Sequence, residues 1–513
     1  MPCSRRRPRP IGYNPLVDEL LNKLAHWKPI RALVVGDFML DQLVYGDAER
    51  LTNDAPVPVL TARRTVETPG GAANVCMDLV AMHAEVRCFG VMGDDREADL
   101  LSKALADSAI DTAGLVRDPS RPTTVKRNLI GLAQHRHPQK MFRVDFESRQ
   151  PLADDVVDRI VEAFTAALPE ADVVAIEDYN KGVCCPNLCR RVIDAARDAG
   201  KPILIDPASI DDYAKYTGCT AITPNRTEAE RATGLTTLTE GNTDERAAHN
   251  AALAKRLATQ LDCEAVVLTL DRDGALLLER DAEPCAVPTI ARQVYDVTGA
   301  GDMVLAALMA ARANGIDWAD SVRFANAAAG LEVEVFGVQP IPFERIYHAV
   351  LVQAKDLIGK RRTLDEARIE IEAARREGKK IVFTNGCFDI IHAGHISLLR
   401  KAREHGDLLV VGLNSDASVQ RLKGPERPVH DEDDRVTVLS ELESVAVVVV
   451  FEEDTPLKLI ETLRPDVLVK GADYTKDQVV GADIVESYGG AIALVELLAG
   501  RSTTGAIERI RSV

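Results

Sequence analysis

The stretch Asp296-Val297-Thr298-Gly299-Ala300-Gly301-Asp302 is the most informative part of this sequence. Small and apolar residues follow it from Met303 to Ala311, a pattern typical of a buried helix. The amides of Gly299-Ala300-Gly301 are therefore expected at a helix N-terminus, where free N–H groups and the helix dipole bind anions. Asp302 is placed to accept the proton of an attacking hydroxyl. Together these features predict transfer of a phosphoryl group to a hydroxyl.

A glycine-containing loop before a helix-capping Asp would give the same local pattern without any chemistry. The wider sequence favours the catalytic interpretation. Asp296 to Asp302 match throughout the late Asp-x-x-Gly-Ala-Gly-Asp motif of the ribokinase-like sugar kinases, which this part of the chain resembles. The resemblance implies that Asp302 is the catalytic base and that Gly299, Ala300 and Gly301 form the anion hole.

Two earlier segments resemble the sugar-binding elements of the same kinases. An apolar strand ends in Gly36-Asp37, and ligands bind at such strand ends. The segment Pro69 to Asn74 contains two glycines that let the backbone approach a ligand closely. The resemblance implies a set of sugar-binding residues from these segments, namely Asp37, Gly70, Gly71 and Asn74. Lys181, after another predicted strand, could neutralise a substrate phosphate or be an ordinary surface lysine.

Nucleotide binding is expected in a segment that consists of Asn225, Arg226, Thr227 and Glu228. The family uses Asn-x-x-Glu beside the nucleotide phosphates, which implies that Glu228 orders water around Mg²⁺, an ion that keeps much of its hydration shell. The same spacing is typical of a helix-capping pair, and the two interpretations are compatible. Thr269 and Gly274, in a strand-and-turn pattern, are predicted to border the nucleotide, although an ordinary hairpin fits that pattern equally well.

A second signature begins with the apolar stretch Ile381 to Phe383 and continues to His392-Ala393-Gly394-His395. Histidines three residues apart at a helix entry point to one side, and Gly394 leaves room for a phosphate against the backbone. Such a pair can stabilise the pentavalent phosphorus of an adenylyl or cytidylyl transfer. Two solvent-exposed histidines, or half of a metal site, would give the same short motif.

Further segments, among them Asn414-Ser415-Asp416 and Arg464 to Tyr474, make the C-terminal part resemble the cytidylyltransferase-like nucleotidyltransferases. This resemblance implies catalytic roles for His392 and His395. It also implies a set of nucleotide-binding residues from three parts of the domain: Thr384, Asn385, Gly386, Phe388, Asp389, Lys423, Ser502, Thr503 and Thr504. An N-terminal helix cap is the structural alternative for the last three.

A ribokinase-like kinase joined to such a nucleotidyltransferase is an uncommon pairing. From about Leu33 onward the chain resembles the bifunctional heptose enzymes of bacterial lipopolysaccharide synthesis. The resemblance implies that ATP phosphorylates the anomeric hydroxyl of D-glycero-D-manno-heptose 7-phosphate, and that heptose 1-phosphate is later joined to AMP from ATP to give ADP-heptose and pyrophosphate. A separate phosphatase must act between the two steps. The alternatives are the same chemistries on another sugar or polyol phosphate, with ATP or CTP, and a scaffold with one inactive domain.

The predicted fold class is α/β: a ribokinase-like domain with a central sheet, flanking helices and a small β lid, followed by a Rossmann-like nucleotidyltransferase domain. We expect a disordered tail at residues 1–13, the kinase at 14–345, a linker helix region at 346–379 and the adenylyltransferase at 380–513. Kinases of this type often dimerise through the lid strands, so a homodimer is expected.

Composition agrees with this organisation but does not select it. The 513 residues are 46% hydrophobic, enough for two or three packed domains. A net charge of −17 without a basic stripe argues against nucleic-acid partners. No paired Cys-x-x-Cys sets occur, and neither a membrane-length apolar run nor the apolar core of a signal peptide is present. The expected location is therefore the cytoplasm, with sugar phosphates and ATP as ligands and no membrane contact.

Overall fold

The computed structural model describes residues 15–132, 139–235, 243–289, 298–335, 337–358, 360–376 and 378–496. The chain divides into two compact units. The first unit is Lys28–Ile346, and the second combines Met1–Trp27 with Tyr347–Val513. Among the described residues, no helix combines the length and the apolar character that crossing a membrane requires.

Helices and strands alternate along most of the chain. The helices of the described residues are α1 (Pro15–Ala25), α2 (Ala72–Ala81), α3 (Arg96–Asp107), α4 (Asp154–Ala167), α5 (Pro186–Asp198), α6 (Arg226–Thr233), α7 (Thr243–Leu261), α8 (Ala300–Ala313), α9 (Trp318–Glu332), α10 (Phe343–Ile358), α11 (Leu364–Arg376), α12 (Ala393–Arg403), α13 (Asp416–Lys423), α14 (Glu432–Ser440), α15 (Leu457–Leu463) and α16 (Ala482–Ser487). Helix α8 is buried continuously from Asp302 to Ala311, which explains its small residues: they let it pack closely on α2 and α9.

The strands of the first unit form two sheets. They are β1 (Arg31–Gly36), β2 (Phe38–Leu51), β3 (Pro58–Gly71), β4 (Glu85–Met92), β5 (Asp111–Arg117), β6 (Thr124–Gly131), β7 (Gln139–Phe146), β8 (Val173–Glu177), β9 (Ile203–Asp206), β10 (Ala221–Ile222), β11 (Ala265–Thr269), β12 (Ala275–Glu279) and β13 (Cys285–Val287). The main sheet has the order β13-β12-β11-β10-β9-β8-β1-β4-β5, and the small sheet has the order β3-β2-β6-β7. The expected central sheet and β lid are both present.

Within the main sheet, the seven strands from β11 to β5 are parallel, and β12 and β13 add an antiparallel edge. Strand β1 lies between β8 and β4, so the strand order reverses at β1: β4 and β5 lie on one side of it, and β8 to β13 lie on the other. Such a topological switch point is where open α/β sheets bind ligands, at the carboxyl ends of the strands. Helices α4, α5, α6 and α7 bury one face of the sheet.

The second unit has one six-stranded sheet, and every strand pair in it is parallel. Its strands are β14 (Arg361–Arg362), β15 (Ile381–Gly386), β16 (Leu408–Asn414), β17 (Val447–Phe451), β18 (Val467–Gly471) and β19 (Ala491–Val495), in the order β14-β17-β16-β15-β18-β19. One core cluster includes residues of α11, α15 and α16, and another includes residues of α12 and α14. This is the Rossmann-like arrangement expected from the sequence, with its switch point between β15 and β18.

Within the linker helix region predicted at 346–379, the charged segment Leu364–Arg376 forms α11. Its apolar residues Ala367, Ile371 and Ala374 are buried in a core cluster of the second sheet. The side chains of Arg362 and Glu370 are paired and almost completely buried. The described part of this stretch is therefore packed structure of the second unit.

Candidate active sites

Asp302 lies in the first turn of α8 and is only 3% exposed. Its Oδ2 accepts a hydrogen bond from Nδ2 of Asn74 at 2.8 Å, and its Oδ1 accepts one from the hydroxyl of Tyr179 at 2.7 Å. The fold thus brings together two residues predicted from the sequence, Asp302 and Asn74, across 228 positions of the chain. Tyr179 was not among the predicted site residues.

Burial raises the pKa of Asp302 to about 6, although the hydrogen bonds from Tyr179 and Asn74 oppose the rise. The carboxylate is therefore mostly ionised at neutral pH and more basic than an exposed aspartate. Gly299, with a φ of 91°, precedes the helix, so the amides of the expected anion hole begin α8. Asp296 and Val297 of the same motif lie outside the described residues.

Gly70 and Gly71 end the long lid strand β3 and lead directly into α2. Gly71 has a φ of 61°, and a Cβ there would lie 2.5 Å from the carbonyl oxygen of Asp37. The amide of Ala72 donates to that same carbonyl at 3.1 Å. Glycine at this position therefore lets α2 start close to the end of β1. This start of α2 places Asn74 beside the carboxylate of Asp302.

Asp37 follows β1 and is 1% exposed. Its Oδ2 accepts from the amides of Tyr179 and Lys181 at 2.8 and 3.0 Å, and its Oδ1 accepts from the amide of Val183 at 3.3 Å. Burial and the neighbouring Asp178 raise the pKa of Asp37 to about 6. In this structure Asp37 holds the loop after β8, and its contact with a sugar stays a prediction.

Two lysines lie near this loop. The ammonium of Lys181 pairs with the carboxylate of Glu147, and the Lys181 side chain is 11% exposed, so it is not the surface lysine of the alternative interpretation. The ammonium of Lys126, from lid strand β6, lies 4.8 Å from the ring centroid of Tyr179. Lys126 was not predicted from the sequence.

Three buried or partly buried carboxylates meet at the carboxyl edge of the main sheet. Glu177 ends β8, Asp206 ends β9, and each offers an oxygen within 4.8 Å of the other and of an oxygen of Asp302. Oε2 of Glu177 is buried without a hydrogen-bond partner among the described residues. Clustered carboxylate oxygens are the ligands that Mg²⁺ prefers, so these residues fit a magnesium ion. Asp206 follows Ile203-Leu204-Ile205 as Asp37 follows its strand, a signal that the sequence analysis did not use.

Asn225 and Glu228 form a complete capping box at the start of α6. The side chain of Asn225 accepts from the amide of Glu228, and the side chain of Glu228 accepts from the amide of Asn225, both at 2.9 Å. Burial raises the pKa of Glu228. The capping interpretation is thus correct, and the proposed contact of Glu228 with hydrated Mg²⁺ is compatible with it.

The other predicted nucleotide residues of the first unit gather beside this box. Thr269 forms a β-bridge with Asn225, and Arg226 lies 3.8 Å from Asp273 in the turn that Gly274 closes. A Cβ at Gly274 would lie 2.6 Å from the amide nitrogen of Thr289. Thr227 is the second residue of α6.

In the second unit, His392 is the residue that caps α12. Its Nδ1 accepts from the amide of Gly394 at 3.2 Å. The rings of His392 and His395 are stacked with centroids 3.9 Å apart, and the ring of Phe388 lies 5.2 Å from that of His395. Burial, reinforced by the neighbouring His392, lowers the pKa of His395 to about 4, so this imidazole is neutral at physiological pH.

Thr384, Asn385 and Gly386 form the end of β15, beside that histidine loop. The hydroxyl of Thr384 donates to the carbonyl of Val469 at 2.9 Å, which ties β15 to β18. Asp389 is 3% exposed, pairs with Arg427 and accepts from the amide of Val429 at 2.6 Å. In this structure Thr384 and Asp389 therefore fix the loops around the switch point.

Lys423 is exposed at the end of α13, and the predicted residues Ser502, Thr503 and Thr504 lie outside the described residues. Two cations at the same edge of the sheet were not predicted from the sequence. Arg435 is 1% exposed and donates to the carbonyls of Cys387 and Asn414 at 2.7 and 2.8 Å. The ammonium of Lys470, in β18, donates to the carbonyl of Asn385 at 3.0 Å.

Comparison with known proteins agrees with this arrangement of two sites. Residues 30–344 match the pfkB family carbohydrate kinases, and residues 383–499 match the cytidylyltransferase-like family. The chain is 43% identical to the bifunctional protein HldE of Geobacter metallireducens over 486 residues, which cover 95% of this chain and 96% of that protein. The chain belongs to the HldE family of bifunctional proteins.

A second HldE protein, from Geobacter sulfurreducens, is 44% identical over 486 residues, again with 95% of this chain and 96% of that protein covered. Among solved structures, the tetrameric inhibited form of phosphofructokinase-2 from Escherichia coli matches with a TM-score of 0.50 and 17% identity. That match covers 63% of this chain and 99% of the phosphofructokinase, and it supports the fold of the first unit. The resemblance drawn from the sequence and the predicted fold class are confirmed: this HldE-family chain joins a sugar kinase to a nucleotidyltransferase.

Proposed function

We propose that the chain catalyses two non-consecutive steps of ADP-heptose synthesis for the lipopolysaccharide core. The first unit phosphorylates D-glycero-D-manno-heptose 7-phosphate at its anomeric hydroxyl with ATP. The second unit joins heptose 1-phosphate to the AMP of another ATP and releases pyrophosphate. The observation that carries the proposal is the presence, in one HldE-family chain, of a buried carboxylate at the start of α8 and a stacked histidine pair at the start of α12.

In the kinase reaction, the anomeric hydroxyl passes its proton to the carboxylate of Asp302 as its oxygen attacks the γ-phosphorus of ATP, and the bond to the β–γ bridging oxygen breaks to release ADP. Asn74 and Tyr179 hold that carboxylate in place through their hydrogen bonds. The amides at the start of α8 stabilise the charge that develops on the transferred group. Glu177 and Asp206 would hold Mg²⁺, and Glu228 would contact the ion through water; when bound, Mg²⁺ would neutralise charge on the phosphates of ATP.

In the nucleotidyl transfer, a phosphate oxygen of heptose 1-phosphate attacks the α-phosphorus of ATP, and pyrophosphate leaves. His392 and His395 lie at the N-terminus of α12 and stabilise the pentavalent phosphorus. The reaction needs no covalent enzyme intermediate. Because the 7-phosphate must be removed between the two steps, a phosphatase acts on the product of the first unit before the second unit uses it.

We also propose a cytoplasmic homodimer that forms through the lid of the first unit. The lid strands and the turn between β2 and β3 expose large apolar side chains: Leu51, Val57, Met141, Phe142 and Phe146. Contacts with a second copy would remove these side chains from water. Sedimentation equilibrium of wild type and Phe142→Asp tests this, since the substitution should convert a dimer into a monomer; a monomeric wild type would contradict it.

The decisive experiment follows phosphorus by NMR in two separate reactions with purified protein, ATP and Mg²⁺. Heptose 7-phosphate should give the 1,7-bisphosphate and ADP, and heptose 1-phosphate should give ADP-heptose and pyrophosphate. If neither sugar reacts while another sugar or polyol phosphate, or CTP, does, then the substrate assignment is wrong and the two chemistries remain. If no substrate reacts at all in one of the units, that unit is a scaffold.

A further inference from the structure

Lys470 occupies the place in the second unit where a parallel sheet receives its ligand. Strand β18 lies next to β15, on the side of β15 opposite to β16, so the switch point of the sheet is between these strands. Phe383 lies opposite Leu468 in the register of the pair, and Asn385 and Lys470 each follow two residues later on their own strand. Both residues are therefore at the carboxyl edge of the crevice, beside the loop that leads to His392.

The ammonium of Lys470 is partly buried and lacks a counter-charge. It donates one hydrogen bond, at 3.0 Å, to the carbonyl of Asn385. The ammonium also lies 5.8 Å from the ring centroid of Tyr474, which supplies no counter-charge. It has three donors, and two of them make no hydrogen bond within the described residues. No carboxylate of the described residues lies within ion-pair distance of it. Desolvation lowers the pKa of Lys470 to about 8, although the nearby Asp473 opposes this effect.

Three arginines of the same region differ from Lys470 because each forms an ion pair with a carboxylate. Arg427 pairs with Asp389, Arg421 pairs with Asp454 at 2.7 Å, and Arg435 pairs with Asp416 at 2.8 Å. Their charges are already balanced within the protein. A cation that is removed from water without an ion partner is unfavourable unless an anion arrives to compensate it.

A second observation also indicates a ligand in this crevice. Oδ1 of Asn385 is buried and has no hydrogen-bond partner among the described residues. An unused acceptor thus lies on the same residue whose carbonyl binds Lys470. A ligand that combines an anionic phosphate with a nearby hydroxyl or amino donor would satisfy both groups.

We propose that Lys470 binds a phosphoryl group of a substrate during nucleotidyl transfer. The proposal rests on the transfer reaction proposed for the second unit, and it adds a cation to the predicted phosphate contacts of Lys423 and of Ser502 to Thr504. Two substrates carry such a group, the acceptor sugar 1-phosphate and ATP. In this role the ammonium of Lys470 acts as a point charge on the phosphate at the carboxyl edge of the crevice.

The test compares Lys470→Met and Lys470→Arg with wild type in steady-state transfer assays, in which heptose 1-phosphate and ATP are varied separately. Lys470→Met should lower kcat/KM by about 10- to 100-fold for the substrate whose phosphate it binds, because it removes a charge-assisted hydrogen bond. Lys470→Arg should recover part of that loss because it keeps the charge. A rise in KM for the sugar phosphate assigns the group to the acceptor, and a rise in KM for ATP assigns it to the nucleotide.

Lys476→Met is the matched control, since Lys476 is exposed and pairs with Glu486 on the surface of the same unit. Kinase activity of the same preparations and thermal unfolding report whether each variant is folded. The proposal is overturned if folded Lys470→Met has wild-type KM and kcat for both substrates, or if Lys470→Arg loses as much as Lys470→Met. A wild-type protein that transfers no nucleotide would instead refute the proposed function of the second unit.

Discussion

At the scale of single residues, Asp302 illustrates how opposing effects set the pKa of the proposed catalytic base. Burial disfavours the carboxylate, whereas the hydrogen bonds from Asn74 and Tyr179 favour it. Burial is the larger effect, so the pKa is raised to about 6. The result suits proton abstraction near neutral pH, because the group is ionised and yet more basic than an exposed aspartate.

The pKa of Asp302 predicts how kinase activity depends on pH. The reaction needs the deprotonated carboxylate, so kcat/KM should fall as pH decreases through about 6, in proportion to the ionised fraction. An ordinary aspartate would remain ionised to about pH 4. The measurement is the rate of bisphosphate formation from pH 5 to 8 at saturating Mg²⁺. A profile that stays flat down to pH 5 would show that Asp302 is not perturbed in this way.

Tyr179 should act through Asp302, which makes it a positioning residue. Tyr179→Phe removes the hydrogen bond to Oδ1, and this bond lowers the pKa of Asp302. The acidic limb of the kinase profile should therefore move to higher pH, and kcat at pH 7 should fall by about 10-fold as the carboxylate loses its orientation. Tyr45→Phe, which removes a hydroxyl from lid strand β2, is the control and should leave the limb unchanged. Equal profiles for both variants would contradict the positioning role.

Candidate site residues could be predicted from the sequence where they belong to one short motif. Asp302 and Gly299 come from one motif, and His392 and His395 come from another. Tyr179 was missed because its contact with Asp302 joins residues 123 positions apart, which no local pattern encodes. The same limit explains why Asp37 was identified as a sugar-binding candidate but its bonds to the backbone amides of Tyr179, Lys181 and Val183 were not foreseen.

At the scale of elements, each proposed site places a helix N-terminus at the carboxyl edge of a parallel sheet. Helix α8 begins after a glycine with positive φ, and α12 begins after a histidine that accepts from its own first turn. In α12 the cap uses the amide of Gly394, and the amides that remain free at the two helix starts can bind an anion. The sequence predicted both helix starts.

The true length of β3 was not predicted from the sequence. Its segment from Thr61 to Thr68 belongs to an exposed lid strand, which lacks the alternation of apolar and polar residues that indicates a core-facing strand.

The junction of β3 and α2 yields a prediction about stability and activity together. Gly71→Ala places a Cβ against the carbonyl of Asp37 and forces a non-glycine residue into positive φ. It should destabilise the first unit by ~2–4 kcal/mol and displace Asn74 from Asp302, which lowers kinase activity. Gly315→Ala is the matched control: Gly315 has a φ of 73°, but a Cβ there meets nothing within 4 Å. It should cost only the backbone strain, ~1 kcal/mol.

Urea unfolding of both glycine variants, followed by the intrinsic fluorescence of Trp27 and Trp318, measures this difference. The kinase rate of each variant, corrected for its folded fraction, shows whether the active site moves. Gly71→Ala should lose activity even where it is fully folded, and Gly315→Ala should not. Equal destabilisation of the two variants would mean that the contact with Asp37 relaxes without cost.

At the scale of the whole molecule, two α/β units with separate cores carry two kinds of phosphoryl chemistry. Each unit has its own switch point: β1 beside β8 in the first, and β15 beside β18 in the second. The sequence predicted both architectures, because apolar strands alternate with helical segments and each unit has a motif of its own. The sequence also predicted an amphipathic helix with Ala367, Ile371 and Ala374 on its apolar face, but it did not predict that this face packs into the core of the second unit, because the face alone does not identify what covers it.

Two sites in two units should be separable by mutation. Asp302→Asn removes the base of the kinase, so bisphosphate formation should fall by about 10²–10⁴-fold while ADP-heptose formation stays at the wild-type rate. His392→Ala removes one half of the stacked pair and should reverse this pattern, with a loss of about 10²–10³-fold in nucleotidyl transfer. Both rates are measured on the same preparations by ³¹P NMR.

An equimolar mixture of the two variants should then support both reactions, because the intermediate is released to a phosphatase between them. If either single substitution abolished both activities in folded protein, the two reactions would share one site, and the assignment of one reaction to each unit would fail.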